Sequence, residues 1–368
     1  MDTDAQFMAL ALTLGRRGLG RTWPNPTVGA VVVRNDGGTP IIVARGVTLP
    51  GGRPHAETEA LARAGAAAAG ATLYVTLEPC SHYGKTPPCA DAVVSASIAR
   101  VVSALEDPNP EVAGRGHARL RAAGVAVDVG LGADEARRVH AGHIRRVRDG
   151  RPHVTLKLAV SRDGKAALAG RRPAAITGEM ARAQVHLMRA MHDAILVGIG
   201  TVIADDPLLT CRLPGMKARS PVRVILDRAL RLPQQSRLAR SARDFPVWVI
   251  AGDGAPAARE QAIRALGADV LRVSERAGRL AIAEALAALA SRGITRLMVE
   301  GGPTIAAALV GADLVDAAVL FRGPGEIGPD GVDALEALPL AALTQSPTLK
   351  LINTEVAGPD RIETFERR

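Results

Sequence analysis

Apolar residues follow two different spacings along the chain, and their alternation predicts an α/β protein. Short runs rich in β-branched residues predict strands, whereas Ala- and Leu-rich segments with apolar residues every three or four positions predict helices. In the first 130 residues, strands are predicted over 28–34, 41–45, 72–77, 100–105 and 125–129. Helices are predicted over 6–17, over 56–69, from Pro88 through Val94, and between the last two strands. Alternating strands and helices favour a layered α/β sandwich.

The same alternation resumes after residue 150. Segment 134–151 is dense in Arg and His, and Gly150 and Pro152 then interrupt the chain. We therefore expect a polar connecting segment there, with one domain over 1–150 and a second over 151–368. In the second half, strands are predicted over 154–160, 194–198, 222–226, 247–251 and 296–299, and helices over 178–191 and 279–291. No internal repeat relates the halves, so the second is expected to be an α/β domain of its own.

Composition narrows the class of protein. A length of 368 residues suits two domains, and 47% hydrophobic residues with three cysteines exclude a disordered chain and a disulfide scaffold. The net charge is +9, but only 2% of the residues are aromatic, which argues against a platform for stacking nucleic-acid bases. The many Arg residues suit a phosphate-bearing small molecule, or simply reflect an Arg-rich composition.

The sequence also carries an expectation about location. The start of the chain, Met1-Asp-Thr-Asp, lacks the basic and apolar regions of a signal peptide, and no apolar run approaches the ~20 residues of a membrane span. We expect a cytoplasmic protein with neither a membrane nor a nucleic acid as partner.

A zinc-ligand pattern is the strongest chemical signal in the sequence. His55, Cys80 and Cys89 offer one imidazole and two thiolates, a three-ligand set that leaves the fourth zinc position for water. Zinc lowers the pKa of such a water toward ~7. Glu57, at the expected start of a helix, could take a proton from that water and deliver it to a leaving amine. Each residue alone could be an ordinary core residue, but the ordered set indicates a metal site.

The order His-x-Glu followed by Pro-Cys is typical of zinc nucleobase deaminases. The usual pattern ends Pro-Cys-x-x-Cys, whereas here eight residues, 81–88, separate the two cysteines. Two other interpretations remain open at this point. One is a nucleic-acid-editing deaminase with an accessory domain. The other is a binding module with a structural zinc, although Cys211 in the other half is the one spare thiolate.

A glycine turn in the second half predicts an anion site. Glu300-Gly301-Gly302-Pro303-Thr304 follows a predicted strand and opens a helix, where backbone N–H groups and the helix dipole favour a phosphate. It differs from the Gly-x-Gly-x-x-Gly fingerprint of dinucleotide-binding domains. Taken alone, this motif is compatible with a plain turn.

Longer motifs in the first half resemble those of a known family. The runs 24–30, 54–57, 79–89 and 107–110 resemble the deaminase half of the bifunctional riboflavin-biosynthesis deaminase/reductases. The resemblance implies a cytidine-deaminase-like three-layer sandwich with Zn²⁺ on His55, Cys80 and Cys89, and Glu57 as the catalytic proton shuttle. It further implies that the pyrimidine and its ribosyl phosphate are bound by Asn25, His82, Lys85 and Asn109.

The second half resembles the reductase half of the same family. Lys157 to Lys165 and Thr201 to Thr210 stand at that family's positions and order. The resemblance implies a dihydrofolate-reductase-like α/β fold that uses NADPH. The implied nucleotide contacts are Ala159, Thr201, Asp205, Gly302, Pro303, Thr304, Ile305, Ala306, Ala307 and Ala308. The implied substrate contacts are Lys157, Arg189, Leu209, Arg212 and Glu300, with the two Arg suited to a phosphate.

This resemblance implies two successive reactions in one chain. The first is hydrolytic deamination of 2,5-diamino-6-(5-phosphoribosylamino)pyrimidin-4(3H)-one, and the second is NADPH-dependent reduction to 5-amino-6-(5-phosphoribitylamino)uracil. A homo-oligomer, dimer or tetramer, is also expected. The chain departs from the family at Pro173 and Ala175, where Ser and Trp are common, and at Arg228, where Ser is common. These departures put a polar contact and a stacking surface for the nucleotide in doubt.

Overall fold

The computed structural model describes residues 3–84, 87–110, 112–336 and 338–368. The chain divides into two compact units, Met1–Gly150 and Arg151–Arg368. Both units are α/β, as the spacing of apolar residues predicts. No helix within these described ranges is long and apolar enough to cross a membrane.

A five-stranded sheet forms the middle of the first unit. Its strands are β1 (Gly29–Asp36), β2 (Thr39–Val47), β3 (Thr72–Val75), β4 (Arg100–Ser103) and β5 (Ala126–Val129). Their spatial order is β2-β1-β3-β4-β5. β1 runs antiparallel to both β2 and β3, whereas β3, β4 and β5 are parallel. The carboxyl ends of β3 and β4 therefore point to the same edge of the sheet, where loops can meet.

Helices cover both faces of this sheet and make three layers. They are α1 (Thr3–Arg16), α2 (Ala56–Ala64), α3 (Cys89–Ser95), α4 (Arg115–Ala122), α5 (Ala133–Val139) and α6 (Ala141–Asp149). Successive residues of β1 enter opposite cores because side chains alternate along a strand. Val32 packs in the core that contains residues of α2, α3 and α4, and Val31 packs with Met8 of α1.

The prediction of a polar connecting segment before residue 150 is wrong. It consists of the helices α5 and α6, and Ala136 and Val139 of α5 lie in the core with Val31. Only a narrow face of α5 is apolar, and the Arg residues occupy the remaining turns, so composition alone hid the helix.

The second unit is built on a nine-stranded sheet of order β11-β10-β9-β8-β14-β6-β15-β18-β17. Two separate two-stranded sheets pair β12 with β13 and β7 with β16. The strands of the unit are β6 (His153–Val160), β7 (Lys165–Ala167), β8 (Ala194–Gly198), β9 (Val222–Leu226), β10 (Val247–Gly252), β11 (Asp269–Val273), β12 (Glu275–Arg276), β13 (Arg279–Leu280), β14 (Arg296–Val299), β15 (Ala317–Arg322), β16 (Val332–Asp333), β17 (Leu349–Ala357) and β18 (Asp360–Arg367). Neighbouring strands from β11 to β15 are parallel, whereas β18 is antiparallel to β15 and β17.

The helices of this unit connect the parallel strands. They are α7 (Glu179–Ala190), α8 (Ile199–Asp205), α9 (Arg237–Arg240), α10 (Ala257–Ala265), α11 (Ile282–Ser291), α12 (Pro303–Gly311) and α13 (Ala341–Thr344). The central strands are buried on both faces, as β9 and β10 illustrate, which suits a parallel sheet covered by helices. α8 and α12 begin directly after β8 and shortly after β14, so their first turns lie at one edge of the sheet.

Two candidate active sites

The three predicted zinc ligands meet at the start of two helices of the first unit. His55 immediately precedes α2, Cys89 is the first residue of α3, and Cys80 follows β3. His55 Nδ1 lies 3.3 Å from Cys89 Sγ and 3.7 Å from Cys80 Sγ. The ligand atoms of all three residues lie within 4.8 Å of one another. Bonds of 2.0–2.3 Å around a tetrahedral zinc place ligand atoms roughly 3.3–3.8 Å apart, so the set fits this ion.

The two cysteines differ in their surroundings. Cys80 Sγ accepts a hydrogen bond from the Cys89 backbone N–H at 3.3 Å. Hydrogen bonds from Cys89, followed by one from His55, lower the pKa of Cys80 to about 4 despite burial. The hydrogen bond with Cys80 and burial raise the pKa of Cys89. A cation bound between the two sulfur atoms would stabilise both as thiolates.

Glu57 lies in the first turn of α2, next to the cluster of His55, Cys80 and Cys89. Its side chain is 3% exposed, and its Oε2 atom has no hydrogen-bond partner in the part of the chain that the structure describes. Burial, and then the negative charge of Cys80, raise the pKa of Glu57 to about 7. A buried carboxylate oxygen without a partner beside such a ligand set is suited to receive a water or a substrate amine.

The other predicted deaminase contacts surround these helix starts. The Asn25 side-chain amide donates to the Gly52 carbonyl oxygen at 2.8 Å, which attaches its loop to the turn before His55. His82 is exposed in the loop between the two cysteines. Asn109 lies in the loop after β4, where its backbone N–H donates to Asp107 Oδ1 at 2.9 Å. Lys85 lies outside the described residues.

A buried carboxylate that sequence reasoning missed lies two residues before Cys80. Glu78 accepts hydrogen bonds from four backbone N–H groups of the loop after β4 and the first turn of α4. Glu78, Glu106 and His117 also have potential ligand atoms within 4.8 Å of one another. A lone Glu before Pro-Cys gives no sequence signal for such a network, because its four partners come from residues 107–117.

A cavity of about 560 Å³ forms the candidate site of the second unit. It lies at the edge where α8 and α12 begin. Of the predicted contacts, its wall includes Lys157, Ala159, Arg189, Thr201, Asp205, Leu209, Glu300, Gly302, Pro303, Thr304 and Ile305. The volume falls within the range of small-molecule and cofactor sites.

Arg189 and Glu300, which both line this cavity, form an ion pair. Arg189 Nε and Nη2 donate to the two carboxylate oxygens of Glu300 at 2.7 and 2.9 Å, and Arg189 Nη1 donates to the Thr210 carbonyl at 3.2 Å. Burial raises the pKa of Glu300, but Arg189 more than offsets this and holds it below its usual value. Burial lowers the pKa of Lys157, which Glu300 partly offsets. The Arg189 fork expected to bind phosphate is therefore occupied by Glu300.

Arg212 is the more accessible of the two predicted arginines. Its side chain is exposed, and its backbone N–H donates to His186 Nδ1 at 3.3 Å. Partial desolvation and the neighbouring charge of Arg189 lower the pKa of Arg212. Since Arg189 is committed to Glu300, Arg212 is the better placed of the two for a phosphate dianion.

The start of α12 offers room for an anion. A Cβ atom added at Gly302 would meet only Thr201 Oγ1, at 3.6 Å, among the described atoms within 4 Å. Further along the helix, Ala306 is fully buried in the core, and Ala307 and Ala308 are absent from the described cavity wall. The part of the predicted nucleotide contact that borders the cavity is thus 302–305, because the later residues follow the helix away from its first turn.

The departures from the family pattern fall in different places. Pro173 borders the cavity, whereas Arg228 donates to Glu275 at 3.0 Å away from the described cavity wall. Arg171, which sequence reasoning missed, also borders the cavity and lies 3.4 Å from Thr304 Oγ1 at the start of α12. Its second partner is Glu336. Arg171 thus brings a positive charge to the same end of α12.

These two sites define a class of enzyme in which a zinc-dependent deaminase and a reductase occupy one chain. Residues 1–105 match the family model of the cytidine and deoxycytidylate deaminase zinc-binding region, and residues 152–362 match that of the RibD C-terminal domain. The chain is 39% identical over 377 residues to the riboflavin biosynthesis protein RibD of Escherichia coli, covering 97% of each. It is 40% identical to the protein of that name from Bacillus amyloliquefaciens, covering 99% and 100%.

Solved structures agree over the whole chain. Acinetobacter baumannii RibD superposes with a TM-score of 0.86 at 36% identity, and the diaminohydroxyphosphoribosylaminopyrimidine deaminase/5-amino-6-(5-phosphoribosylamino)uracil reductase of Thermotoga maritima with 0.84 at 34%. Both alignments cover 99% of each chain. The chain belongs to the RibD family, the bifunctional deaminase/reductases of riboflavin biosynthesis. The expected family, fold class, enzyme class and pathway are thereby confirmed.

Proposed function

We propose that the first unit, 1–150, removes the 2-amino group of 2,5-diamino-6-(5-phosphoribosylamino)pyrimidin-4(3H)-one, with His55, Cys80 and Cys89 holding one zinc. The observation that carries this proposal is the unpartnered, buried Glu57 Oε2 beside the ligand set. Zinc, when bound there, would lower the pKa of a water molecule toward about 7. Glu57 accepts the proton of the attacking water and returns it to the departing amine, so that ammonia leaves as a neutral molecule.

Asn25, His82, Lys85 and Asn109 bind the substrate in this proposal. The hydrogen bond to Gly52 holds the Asn25 amide in place, and an amide offers both a donor and an acceptor to a base edge. Asn109 approaches from the loop after β4, whose backbone is held by Asp107. Two amides from separate loops would fix the pyrimidine ring in one orientation.

The second unit, 151–368, reduces the ribosyl side chain of the deaminated product to ribityl. NADPH, when bound there, would supply the hydride. The start of α12, with Thr201 and Asp205, is the proposed place of the nucleotide, because an open helix N-terminus favours phosphate. Glu300 and Lys157 are oppositely charged groups in the cavity that can hold sugar hydroxyls, while Arg189 fixes the Glu300 carboxylate and Arg212 receives the phosphate.

Glu57→Gln tests the deaminase assignment. The variant keeps the shape of the side chain but loses the base, so zinc content should stay at the wild-type level while ammonia release falls roughly 10²-fold or more. NADPH oxidation on the already deaminated substrate should be unchanged. Deamination at the wild-type rate by Glu57→Gln would contradict the role of Glu57.

A cytoplasmic homo-oligomer, dimer or tetramer, completes the proposal. Its support is β17, an edge strand of the large sheet whose residues from Lys350 to Val356 are all exposed. Leu351, Ile352 and Val356 on this strand are 47, 43 and 78% exposed, which is unfavourable for a strand that stays in water. Sedimentation equilibrium of the full chain measures the oligomeric state, and a monomer at micromolar concentration would contradict the expectation.

A further inference from the structure

Glu78 lies at the junction of the zinc-ligand loop and the loop that carries Asn109. Its side chain is fully buried. Oε2 accepts from the backbone N–H groups of Asp107 and Gly114, both at 3.0 Å. Oε1 accepts from those of Gly116 at 2.7 Å and His117 at 3.2 Å. Four donors fill the acceptor positions of an ionised carboxylate.

These bonds replace a cap that α4 lacks. The residue before α4 is Gly114, which has φ 73° and provides no side-chain cap, and the first turn carries no acidic residue. A helix leaves its first N–H groups without internal partners. Glu78 satisfies those of Gly116 and His117 from a distant part of the chain, and its negative charge suits the helix N-terminus.

Gly116 allows the start of α4 to approach Glu78 and Pro79 closely. A Cβ atom at Gly116 would lie 2.0 Å from the Pro79 carbonyl oxygen and 3.0 Å from Glu78 Oε1. The first turn of α4 therefore lies directly against the residue that precedes the zinc ligand Cys80. Asp107, held through its own N–H by Glu78, in turn accepts the Asn109 N–H at 2.9 Å and lies 3.3 Å from His143 Nε2.

We propose that Glu78 is a positioning residue of the deaminase: its carboxylate holds the backbone of Asp107 and of the start of α4, and through Asp107 it holds Asn109 at a set distance from the zinc ligand Cys80. The inference rests on the proposed roles of Asn109 and Cys80. Glu78 touches neither substrate nor metal. Its role is to join the substrate-binding loop and the metal-binding loop rigidly. The pyrimidine is then held where the Glu57 carboxylate can transfer protons to its departing amine.

The test uses full-length Glu78→Gln with Glu106→Gln as the matched control. Gln keeps the shape of the side chain but replaces one acceptor oxygen by an NH2 group that faces two N–H donors. Glu106 is an exposed carboxylate of the same loop. For Glu78→Gln we expect wild-type zinc content, unchanged NADPH oxidation on the deaminated substrate, and a kcat/KM for deamination lower by roughly ten- to a hundredfold. Glu106→Gln should deaminate normally.

A double-mutant cycle separates positioning from a general loss of stability. If Glu78 acts through Asn109, Glu78→Gln combined with Asn109→Ala should be hardly worse than Asn109→Ala alone. If Glu78 only stabilises the fold, the two losses multiply, KM of the remaining active enzyme is unchanged, and zinc content falls with activity. That pattern would overturn the proposal.

Amide hydrogen exchange provides a readout that does not depend on the role of Asn109. Peptides spanning 107–117 should exchange at least tenfold faster in Glu78→Gln, and unchanged protection there would also overturn the proposal. Should Asn109→Ala deaminate normally while exchange in Glu78→Gln accelerates and kcat/KM falls, the assignment of Asn109 fails and the positioning role of Glu78 stands.

Two further measurements complete the test. Loss of a second metal equivalent in both Glu78→Gln and Glu106→Gln would identify the Glu78, Glu106 and His117 cluster as a metal site instead. If Glu78→Gln accumulates poorly, Glu78→Asp keeps the charge but shortens the reach. The kcat/KM of Glu78→Asp should then lie between those of the wild type and Glu78→Gln. A Glu78→Asp variant with wild-type kcat/KM and wild-type hydrogen exchange would contradict the proposal.

Discussion

His192 gives the second unit a dependence on pH whose size can be worked out. The side chain follows α7 and is 6% exposed. Nδ1 lies 2.7 Å from the Met188 carbonyl oxygen, so it carries the hydrogen and donates, and Nε2 accepts from the Thr155 hydroxyl at 3.0 Å. Burial, with a smaller contribution from the positive charge of Arg296, lowers the pKa of His192 to about 4.

The direction and size of the pH dependence of stability follow from the protonation of His192 in the unfolded and folded states. In the unfolded chain His192 takes up a proton near its ordinary pKa of 6.5, whereas in the folded unit it does so only near 4. The stabilisation by neutral His192 is therefore complete above pH 6.5 and is lost as the pH falls toward 4. The full difference corresponds to about 3 kcal/mol, of which about 2 kcal/mol is lost by pH 5.

The measurement compares urea unfolding of two proteins at pH 7.5 and pH 5.0. Trp23 and Trp248 are the two tryptophans, one in each unit, so a Trp23→Phe background leaves Trp248 fluorescence to report on the second unit. The comparison variant is His192→Asn, whose amide can still donate to Met188 but does not titrate. Between pH 7.5 and pH 5.0 the unfolding free energy of both proteins should decrease. The decrease should be about 2 kcal/mol smaller in His192→Asn than in the protein that keeps His192. Equal decreases in both proteins would refute the assignment of a neutral, buried His192.

Four further substitutions test the two sites and the fold. Cys80→Ser and Cys89→Ser should each lose zinc and ammonia release together, measured by metal analysis and an ammonia assay. Gly302→Val should lose NADPH binding, measured by fluorescence titration, because the added methyl groups fill the open space before α12 while deamination continues. Asp316→Asn should destabilise the second unit by about 3 kcal/mol, measured by urea unfolding. It breaks a buried pair in which Arg151 donates to Asp316 at 2.6 and 2.9 Å.

Matched variants make these results specific. Cys211→Ser removes a buried thiol of the second unit and should leave zinc and deamination unchanged. Gly311→Val places the same side chain at the far end of α12, where a Cβ has room, and should keep NADPH binding. Asp269→Asn removes an exposed partner of Arg292 and should cost less than about 1 kcal/mol. A result in any control that equals its test variant would contradict the corresponding assignment.

Apolar runs in the sequence predicted the buried strands of the second unit better than its exposed edge strand. β9 and β14 have the predicted bounds, 222–226 and 296–299, because both strands are mostly apolar and are buried on both faces. β17 was not predicted. Seven of its nine residues are exposed, so no apolar run marks it, although it forms a hairpin with β18 through Gly358 and Pro359.

The candidate sites show the same division. The spacing of His55, Cys80 and Cys89 predicted a cluster that the structure does bring together, since ligand types at helix starts are visible in sequence. The hydrogen-bond network around Glu78 and the ion pair of Arg189 with Glu300 could not be predicted from the sequence. Both depend on which backbone and side-chain groups the fold brings within 3 Å, and residue type alone does not determine that.

The central place of β6 in the large sheet has a consequence for how the chain is made. β6 is the first strand of the second unit to be synthesised, yet its partners are β14 and β15. Val154, Leu156 and Val160 of β6 are fully buried in the finished sheet. The ribosome must add roughly 140 residues before β14 exists, which takes on the order of ten seconds at typical rates. During that interval both edges of this apolar strand lack their native partners, which exposes the nascent second unit to non-native strand pairing.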